Sequence, residues 1–177
     1  MFVRALKGKE RTLGAEHKST LSTACNLGIA YASQGKLDEA EKLFIRVLEG
    51  EERVLGADAE STLHTRQNLG IAYAEHEKLA DAEKTFMRTL EGRDRTLGKE
   101  NRLTIDTVSS LGAVYTAQGR REEAGRMLIR ALEGREKIFG AEHVSTLQIV
   151  QKLGNLYKDM GKLDDAERML IRALEGL

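Results

Sequence analysis

Few side chains in this sequence could do catalytic or metal chemistry, and their spacing favours neither. The four histidines, His17, His64, His76 and His143, do not lie at metal-ligand spacing from a carboxylate, a cysteine or one another. Cys25 is the only cysteine, and no basic cluster surrounds it to stabilise a thiolate, so it is interpreted as a small, partly buried residue. No glycine-rich phosphate-binding loop occurs. We therefore predict no catalytic residue, no metal site and no cofactor.

The composition excludes several kinds of partner. Basic and acidic residues are equal in number, 28 of each, so no overall positive field would attract a nucleic acid. No segment of about 20 apolar residues could span a membrane. Residues 1–7 are too few and too charged for a signal peptide. A single cysteine fits a reducing compartment. We expect a cytoplasmic protein that binds neither nucleic acid nor membrane.

A repeated unit of 42 residues organises the whole chain. Leu-Gly-x-x-Tyr begins at positions 27, 69, 111 and 153, and Leu-x-Gly ends at positions 8, 50, 92, 134 and 176. A fixed period of this size is typical of arrays in which each unit packs on its neighbours. The chain contains no proline, which favours helix throughout.

Each unit is predicted to contain two helices. In the first unit, apolar residues that include Leu27 and Tyr31 recur at helical spacing, which predicts helix A over about 18–34. A tight turn at Gly35 follows, because glycine readily takes the left-handed conformation that ends a helix. Helix B is then predicted over about 37–55.

Helix B should continue through Gly50, because the residues after it keep a helical pattern. Glycine inside a helix costs about 1 kcal/mol relative to alanine. Charged residues four apart along this segment predict ion pairs on a solvated outer face. The predicted pairs are Glu49–Arg53, Glu91–Arg95 and Glu133–Lys137.

One helix pair cannot bury its own apolar stripe, so the units must stack on one another. The predicted fold class is all-α, a superhelical α-solenoid of antiparallel helix pairs that forms a single array over residues 1–177. Because the sequence starts and stops within B helices, we expect it to be part of a longer array. The predicted segments are a partial helix B at 1–8 and four repeats at 9–50, 51–92, 93–134 and 135–177.

The residues of the repeat resemble the tetratricopeptide repeat (TPR) family. Leu27-Gly28, Tyr31, Ala40 and Phe44 match its signature. The 42-residue length and the string Ala15-Glu16-His17 are similar to the kinesin light chain type. The repeats look most like those of fungal and bacterial signalling proteins, where such arrays commonly follow a nucleotide-binding switch domain. The resemblance implies a right-handed superhelix whose A helices line a concave groove for a peptide or partner helix.

Several positions depart from the family or from the other units. The His-Pro pair that usually precedes helix A is absent, and we interpret His17 and His143 as caps of that helix. Arg66 stands where the other units have alanine or valine, so it must reach solvent or find a partner. Glu77 replaces the turn glycine of the other units and is predicted to adopt a strained left-handed conformation.

A variable stripe beside the unchanging leucines and tyrosines of helix A marks the predicted binding surface. Asn26 and Asn68 match family asparagines whose amides hold a peptide backbone. The alternative is that this stripe, His64 included, is an ordinary solvent-facing surface. The predicted binding residues are Ser22, Cys25, Asn26, Ile29, Ser33, His64, Gln67, Asn68, Ile71, Glu75, Asp106, Ser109, Ser110, Ala113, Gln148, Gln151, Lys152, Asn155 and Asp159.

The leading hypothesis for function is a protein–protein interaction scaffold that binds a peptide or partner helix and is not an enzyme. The alternative is a sensing or self-associating region of a larger nucleotide-dependent switch protein. Apolar residues in the first and last helices, among them Phe2, Leu170 and Leu174, also predict homo-oligomers through exposed terminal helices. The mixed character of the predicted groove indicates no charge preference in its ligand.

Overall fold

The structure, a computed structural model, describes residues 2–176 and divides the chain into two compact units. Unit 1 is Met1–Thr96 and unit 2 is Leu97–Leu177. The division lies just beyond the predicted boundary between the second and third repeats at 92/93. All regular structure in the described part of the chain is α-helix. The predicted all-α class of fold is therefore confirmed.

In unit 1, consecutive helices pack on one another, and short turns make each A and B pair antiparallel. Helix A of the first repeat ends slightly earlier than predicted, whereas its helix B has the predicted bounds and continues through Gly50. The two A helices, α2 and α4, also touch directly. The helices are α1 (Phe2–Leu13), α2 (Lys18–Ala32), α3 (Leu37–Leu55), α4 (Glu60–Glu75) and α5 (Leu79–Thr96).

Unit 2 repeats this arrangement with α6 (Arg102–Ala117), α7 (Arg121–Phe139), α8 (Val144–Asp159) and α9 (Leu163–Glu175). The last position of the predicted final helix, Leu177, lies outside the described residues. Between residues 2 and 176, no helix is long and apolar enough to cross a membrane.

Close contact between helices explains why the Leu-Gly-x-x-Tyr and Leu-x-Gly motifs each contain a glycine. A Cβ atom on Gly28 would lie 2.7 Å from the ring of Phe44, and one on Gly50 would lie 2.8 Å from the side chain of Leu21. Both distances are shorter than carbon atoms tolerate, so a side chain at either position would push the helices apart. The motif glycines are thus packing residues, and their cost to the helix is offset by the contact that they permit.

Side chains from the preceding loops cap the N-termini of several A helices. The Nδ1 atom of His17 accepts a hydrogen bond from the Ser19 backbone N–H at 3.2 Å, and His143 accepts one from Ser145 at 3.1 Å. Both histidines are therefore caps, as predicted. The Oδ1 atom of Asn101 does the same for α6.

The predicted left-handed turn at Glu77 is confirmed. Its φ is 58°, close to the 72° of Gly35. Both turns end a helix A, and in each the following lysine donates its backbone N–H to the carbonyl of the helix tyrosine. The same lysines, Lys36 and Lys78, place their ammonium groups over the rings of those tyrosines, at 5.6 and 5.9 Å. This cation–π contact is absent from the predictions.

The bases of the predicted ion pairs along helix B make their direct bonds to other acids, although Glu91 and Glu133 still raise the pKa values of Arg95 and Lys137. The bases at the end of each helix B instead reach acids in the loop before the helix A of the same repeat. Such a pair ties the loop to the helix rather than one helical turn to the next, and its exposure to solvent keeps it weak. The observed pairs are Arg53–Glu16, Arg95–Asp58 at 2.6 Å and Lys137–Glu100 at 2.6 Å.

Candidate partner-binding surface

Five of the predicted binding residues meet in unit 1, where α2 and α4 lie side by side. They are Ile29, Ser33, Asn68, Ile71 and Glu75. With Ala32 and Phe44, these residues line an open depression of about 270 Å³. Ile29 and Ile71 are 40% and 39% exposed, which is high for aliphatic side chains that stand next to each other. The structure therefore assembles part of the predicted stripe into one apolar surface with a polar edge.

The polar residues of this depression can orient a ligand. The hydroxyl of Ser33 donates to the Ala30 carbonyl at 3.0 Å, which leaves its oxygen able to accept. Glu75 is exposed and adds a carboxylate. Together with the two isoleucines, these groups suit a ligand that carries an apolar side chain beside a cation.

The two asparagines of the predicted stripe have different surroundings. Asn26 is exposed, so its amide can pair with a ligand backbone. The Nδ2 atom of Asn68 lies 3.4 Å from Nδ1 of His64 and 4.0 Å from Sγ of Cys25. Asn68 is half-buried and its amide already has neighbours on the protein, whereas the amide of Asn26 faces solvent.

One row of the predicted stripe is buried. Cys25, Gln67 and Ser109 occupy the same position in three repeats, and all are less than a tenth exposed. The Cys25 thiol accepts a hydrogen bond from the hydroxyl of Thr65 at 3.6 Å, and Gln67 accepts one from Arg93 at 3.2 Å. These residues support the surface from below and are not presented to solvent.

The thiol of Cys25 is a poor nucleophile in this setting. Burial raises its pKa, and the carboxylate of Glu51 raises it further, against the hydrogen bonds from Thr65 and Asn68. A thiol with a raised pKa is protonated at neutral pH. The structure thus buries Cys25 more fully than the partly buried position that the sequence predicted.

In unit 2 the predicted residues lie on α6 and α8 and are more polar. Asp106 accepts a hydrogen bond from Arg135 at 2.8 Å, so its carboxylate is already paired. Lys152 is exposed, yet the protein around its ammonium group and the nearby Arg135 lower its pKa. Ser110 is partly buried, whereas the rest are exposed: Ala113, Gln148, Gln151, Asn155 and Asp159. On α2 and α4, Ser22 and His64 are exposed as well.

A set of long polar side chains beneath the stripe is missing from the sequence-based site. They extend from the B helices to the A helices: Lys9 donates to the hydroxyls of Ser19 and Thr23, both at 2.8 Å. Arg93 and Arg135 occupy the same position in later repeats and bind Gln67 and Asp106, as described above. The sequence did contain a signal for these residues. They stand at equivalent positions of the 42-residue repeat, where a charged residue lies on the side of helix B that packs against helix A.

A histidine–carboxylate cluster was also missed. Asp38, Glu41 and His76 each offer one ligand atom, and these atoms lie within 4.8 Å of one another. These residues come from the start of α3 and the end of α4. Because only the packing of the two helices brings them together, no short sequence motif could have predicted the cluster. The ammonium group of Lys78 lies 2.7 Å from Glu41 and supplies a positive charge to the cluster. We interpret the group as an ion-pair network that joins two repeats.

Comparison with known proteins assigns the family. A model of the tetratricopeptide repeat family matches residues 1–50, 19–95 and 103–177. Since these segments cover nearly all of the sequence, the chain belongs to the tetratricopeptide repeat family. The resemblance to the tetratricopeptide repeat family that the sequence carries is thereby confirmed. A comparison with curated proteins found no match.

Solved structures with similar folds include proteins of this repeat type. One is a kinesin light chain-type protein of Podosopora anserina with nearly identical TPR-like repeats, which is 23% identical with a TM-score of 0.87; the alignment covers 99% of this chain and 82% of that one. BtubC (BKLC) from P. vanneervenii is 21% identical with a TM-score of 0.83, over 89% of this chain and 63% of that one. The apo form of RapI is 15% identical with a TM-score of 0.84, over 98% and 62%. This chain thus spans less than two thirds of the last two proteins, and at these identities the likeness shows the fold.

Proposed function

We propose that this chain is a protein–protein interaction scaffold that binds a peptide or partner helix along the exposed side of its A helices. The tetratricopeptide fold supports protein partners and a scaffold role. The depression in unit 1 carries the proposal, since five predicted binding residues meet there around two exposed isoleucines. The proposed activity is binding without catalysis.

The lining of the depression defines the chemistry of the proposed partner. Ile29 and Ile71 would take one apolar side chain, and Asn68 would pair with a backbone amide. Glu75 would attract a lysine or arginine next to that apolar residue. The expected ligand is therefore a segment with an apolar residue followed or preceded by a basic one.

Self-association is the second candidate function, and one observation on α9 favours it. Leu174 is 80% exposed, whereas Leu132, which has the same position in the preceding repeat, is 9% exposed. An exposed leucine of this kind is a natural contact for another copy of the chain. Such a role suits the self-associating region of a larger switch protein.

Selection from a displayed peptide library, followed by fluorescence anisotropy on the full chain, tests the groove proposal. Ile71→Asn introduces the residue that repeat 4 carries at Asn155 and should weaken selected peptides about tenfold, or about 1.4 kcal/mol. The double change Asn26→Ala and Asn68→Ala should weaken them by about 1–3 kcal/mol through lost amide hydrogen bonds.

The matched control for this experiment is Met87→Asn, which alters an exposed apolar residue on α5 outside the depression. Met87→Asn should bind the selected peptides like the unaltered chain. Equal binding by all three variants, or peptides that contact only the outer faces of the B helices, would show that the groove proposal is wrong.

A further inference from the structure

Arg66 is a charged residue at a core position. It is 3% exposed, and the residues at this position in the other repeats, Ala24, Val108 and Val150, are buried too. A buried guanidinium destabilises the fold unless its N–H groups are bonded. The chain satisfies both terminal nitrogens: Nη2 lies 2.6 Å from the Glu52 carboxylate, and Nη1 and Nη2 lie 3.2 Å from the Ala57 carbonyl.

The Nε–H group of Arg66 is different, because it is buried and has no hydrogen-bond partner in the chain. A buried donor that has lost its water without gaining an acceptor is unfavourable. Arg66 also lines a cavity of about 180 Å³ between α3, α4 and α5. The positive charge of Arg66 therefore lies at the wall of this cavity. The other lining residues are Leu48, Leu69, Tyr73, Asp81, Lys84, Thr85 and Arg88.

The charges around the cavity favour an anion. Three cations line it, Arg66, Lys84 and Arg88, against the single carboxylate of Asp81. Glu52 neutralises part of this charge, since its carboxylate lies 4.0 Å from Arg88 as well as next to Arg66. Lys84 and Arg88 are exposed at the cavity, so they can turn toward an incoming ligand.

We propose that this cavity is an oxyanion site, which attracts a phosphate or carboxylate group through the positive charges of Arg66, Lys84 and Arg88. The site shares no lining residue with the depression proposed for partner peptides, so the two are independent. Repeats 1, 3 and 4 cannot form it, because alanine or valine replaces the arginine. The anion site is thus a property of the second repeat alone.

Nuclear magnetic resonance titration of the full chain with inorganic phosphate, at constant ionic strength set with sodium chloride, tests the proposal. Phosphate should cause saturable shifts in the Arg66 Nε–H signal and in the amides of residues 81–88. Arg66→Val restores the residue type of Val108 and Val150, so it should fold normally and lose these shifts. The absence of saturable shifts, or identical shifts in Arg66→Val, would overturn the proposal.

A second pair of variants separates a built site from general surface charge. Lys84→Met with Arg88→Met should weaken phosphate binding about tenfold, whereas Lys42→Met with Arg46→Met, the same positions of repeat 1, should leave it unchanged. Equal losses in the two pairs would mean that any nearby positive charge suffices, and the proposal would fail. A parallel titration with acetate assigns the group: shifts of the same signals extend the site to carboxylates, and shifts with phosphate alone restrict it to phosphoryl groups.

Discussion

Glu77 adopts a backbone conformation that the other repeats give to glycine. Its φ of 58° lies beside the 72°, 73° and 74° of Gly35, Gly119 and Gly161. A side chain in the left-handed region brings Cβ close to the backbone, which costs about 1–2 kcal/mol for an ordinary residue. The turn after α4 is therefore strained, and the rest of the repeat keeps it in place.

Glu77→Gly should stabilise the chain by about 0.5–1 kcal/mol, since glycine removes the strain. The gain is reduced by the greater freedom of glycine in the unfolded chain. Urea denaturation followed by circular dichroism measures the difference. Glu77→Ala is the control: it removes the carboxylate, keeps the Cβ atom and should bring no such gain. A clear loss of stability in Glu77→Gly would show that the glutamate side chain contributes more than its strain costs.

At the scale of elements, the A helices differ in how they begin. His17, Asn101 and His143 each cap the helix that follows, whereas Ala59 has no side-chain acceptor for α4. The backbone at Ala59 is nevertheless the same, with φ −61° and ψ 145° against −66° and 141° at Asn101. The α4 helix thus has a preformed cap position without a cap.

Ala59→Asn should stabilise the chain by about 1 kcal/mol, because an asparagine oxygen can accept a hydrogen bond from the first turn of α4. The reverse change, Asn101→Ala, should destabilise it by a similar amount. Thermal or urea denaturation measures both variants. If Ala59→Asn has no effect while Asn101→Ala destabilises, the cap position of α4 is not equivalent to its counterparts despite the matching dihedral angles.

At the scale of the whole chain, the two most exposed large apolar side chains of the described residues lie on α9. Leu163 and Leu174 are 67% and 80% exposed and lie on the same side of that helix. Leu170, which was also predicted to be exposed, packs against Gly154 and is partly covered. Apolar burial contributes about 25 cal/mol per Å², so a second copy that covers this side of α9 gains free energy.

We predict that the chain forms dimers or larger stacks as its concentration rises, and that Leu174→Glu abolishes them. A charge at the centre of the contact would have to be buried on association, which is unfavourable. Multi-angle light scattering over about a hundredfold range of concentration measures the average molar mass in solution. That mass should rise with concentration once the free energy of contact exceeds the entropic cost of association. Met87→Glu, at an exposed residue on α5, should associate like the unaltered chain. A constant monomer mass for all three proteins would contradict the prediction.

Much of the fold was predictable because the repeat makes each unit a test of the others. Leu27 and Tyr31 recur with the helical period, and Gly35 ends the helix by a local conformational preference. His17 as a cap and Glu77 as a left-handed residue follow from the same local comparison. These features depend on residues close in sequence, and the structure confirms each of them. The role of the predicted stripe in binding and the cytoplasmic location stay predictions.

The candidate site was only partly predictable. The exposed stripe could be read from positions that vary between repeats, and Ile29 and Ile71 do lie together. Cys25 and Gln67 belong to the same stripe by helical spacing, yet they are buried: Thr65 of α4 donates to the Cys25 thiol, and Arg93 of α5 donates to Gln67. The helical period predicts the face of the helix on which a residue lies, but it does not predict which side chains of neighbouring helices cover that residue.

The sequence by itself determined the repeat, the two helices of each unit, their caps and turns, and the family, since all of these depend on local spacing. Tertiary structure decided which charged groups meet. Arg53 could bond to Glu49 or to Glu16, and the packing of the hairpin places Glu16 in reach. The same is true of Arg66 with Glu52, whose meeting beside a cavity follows from three helices at once. Long side chains choose among partners several ångströms apart, and only the positions of the helices set that choice.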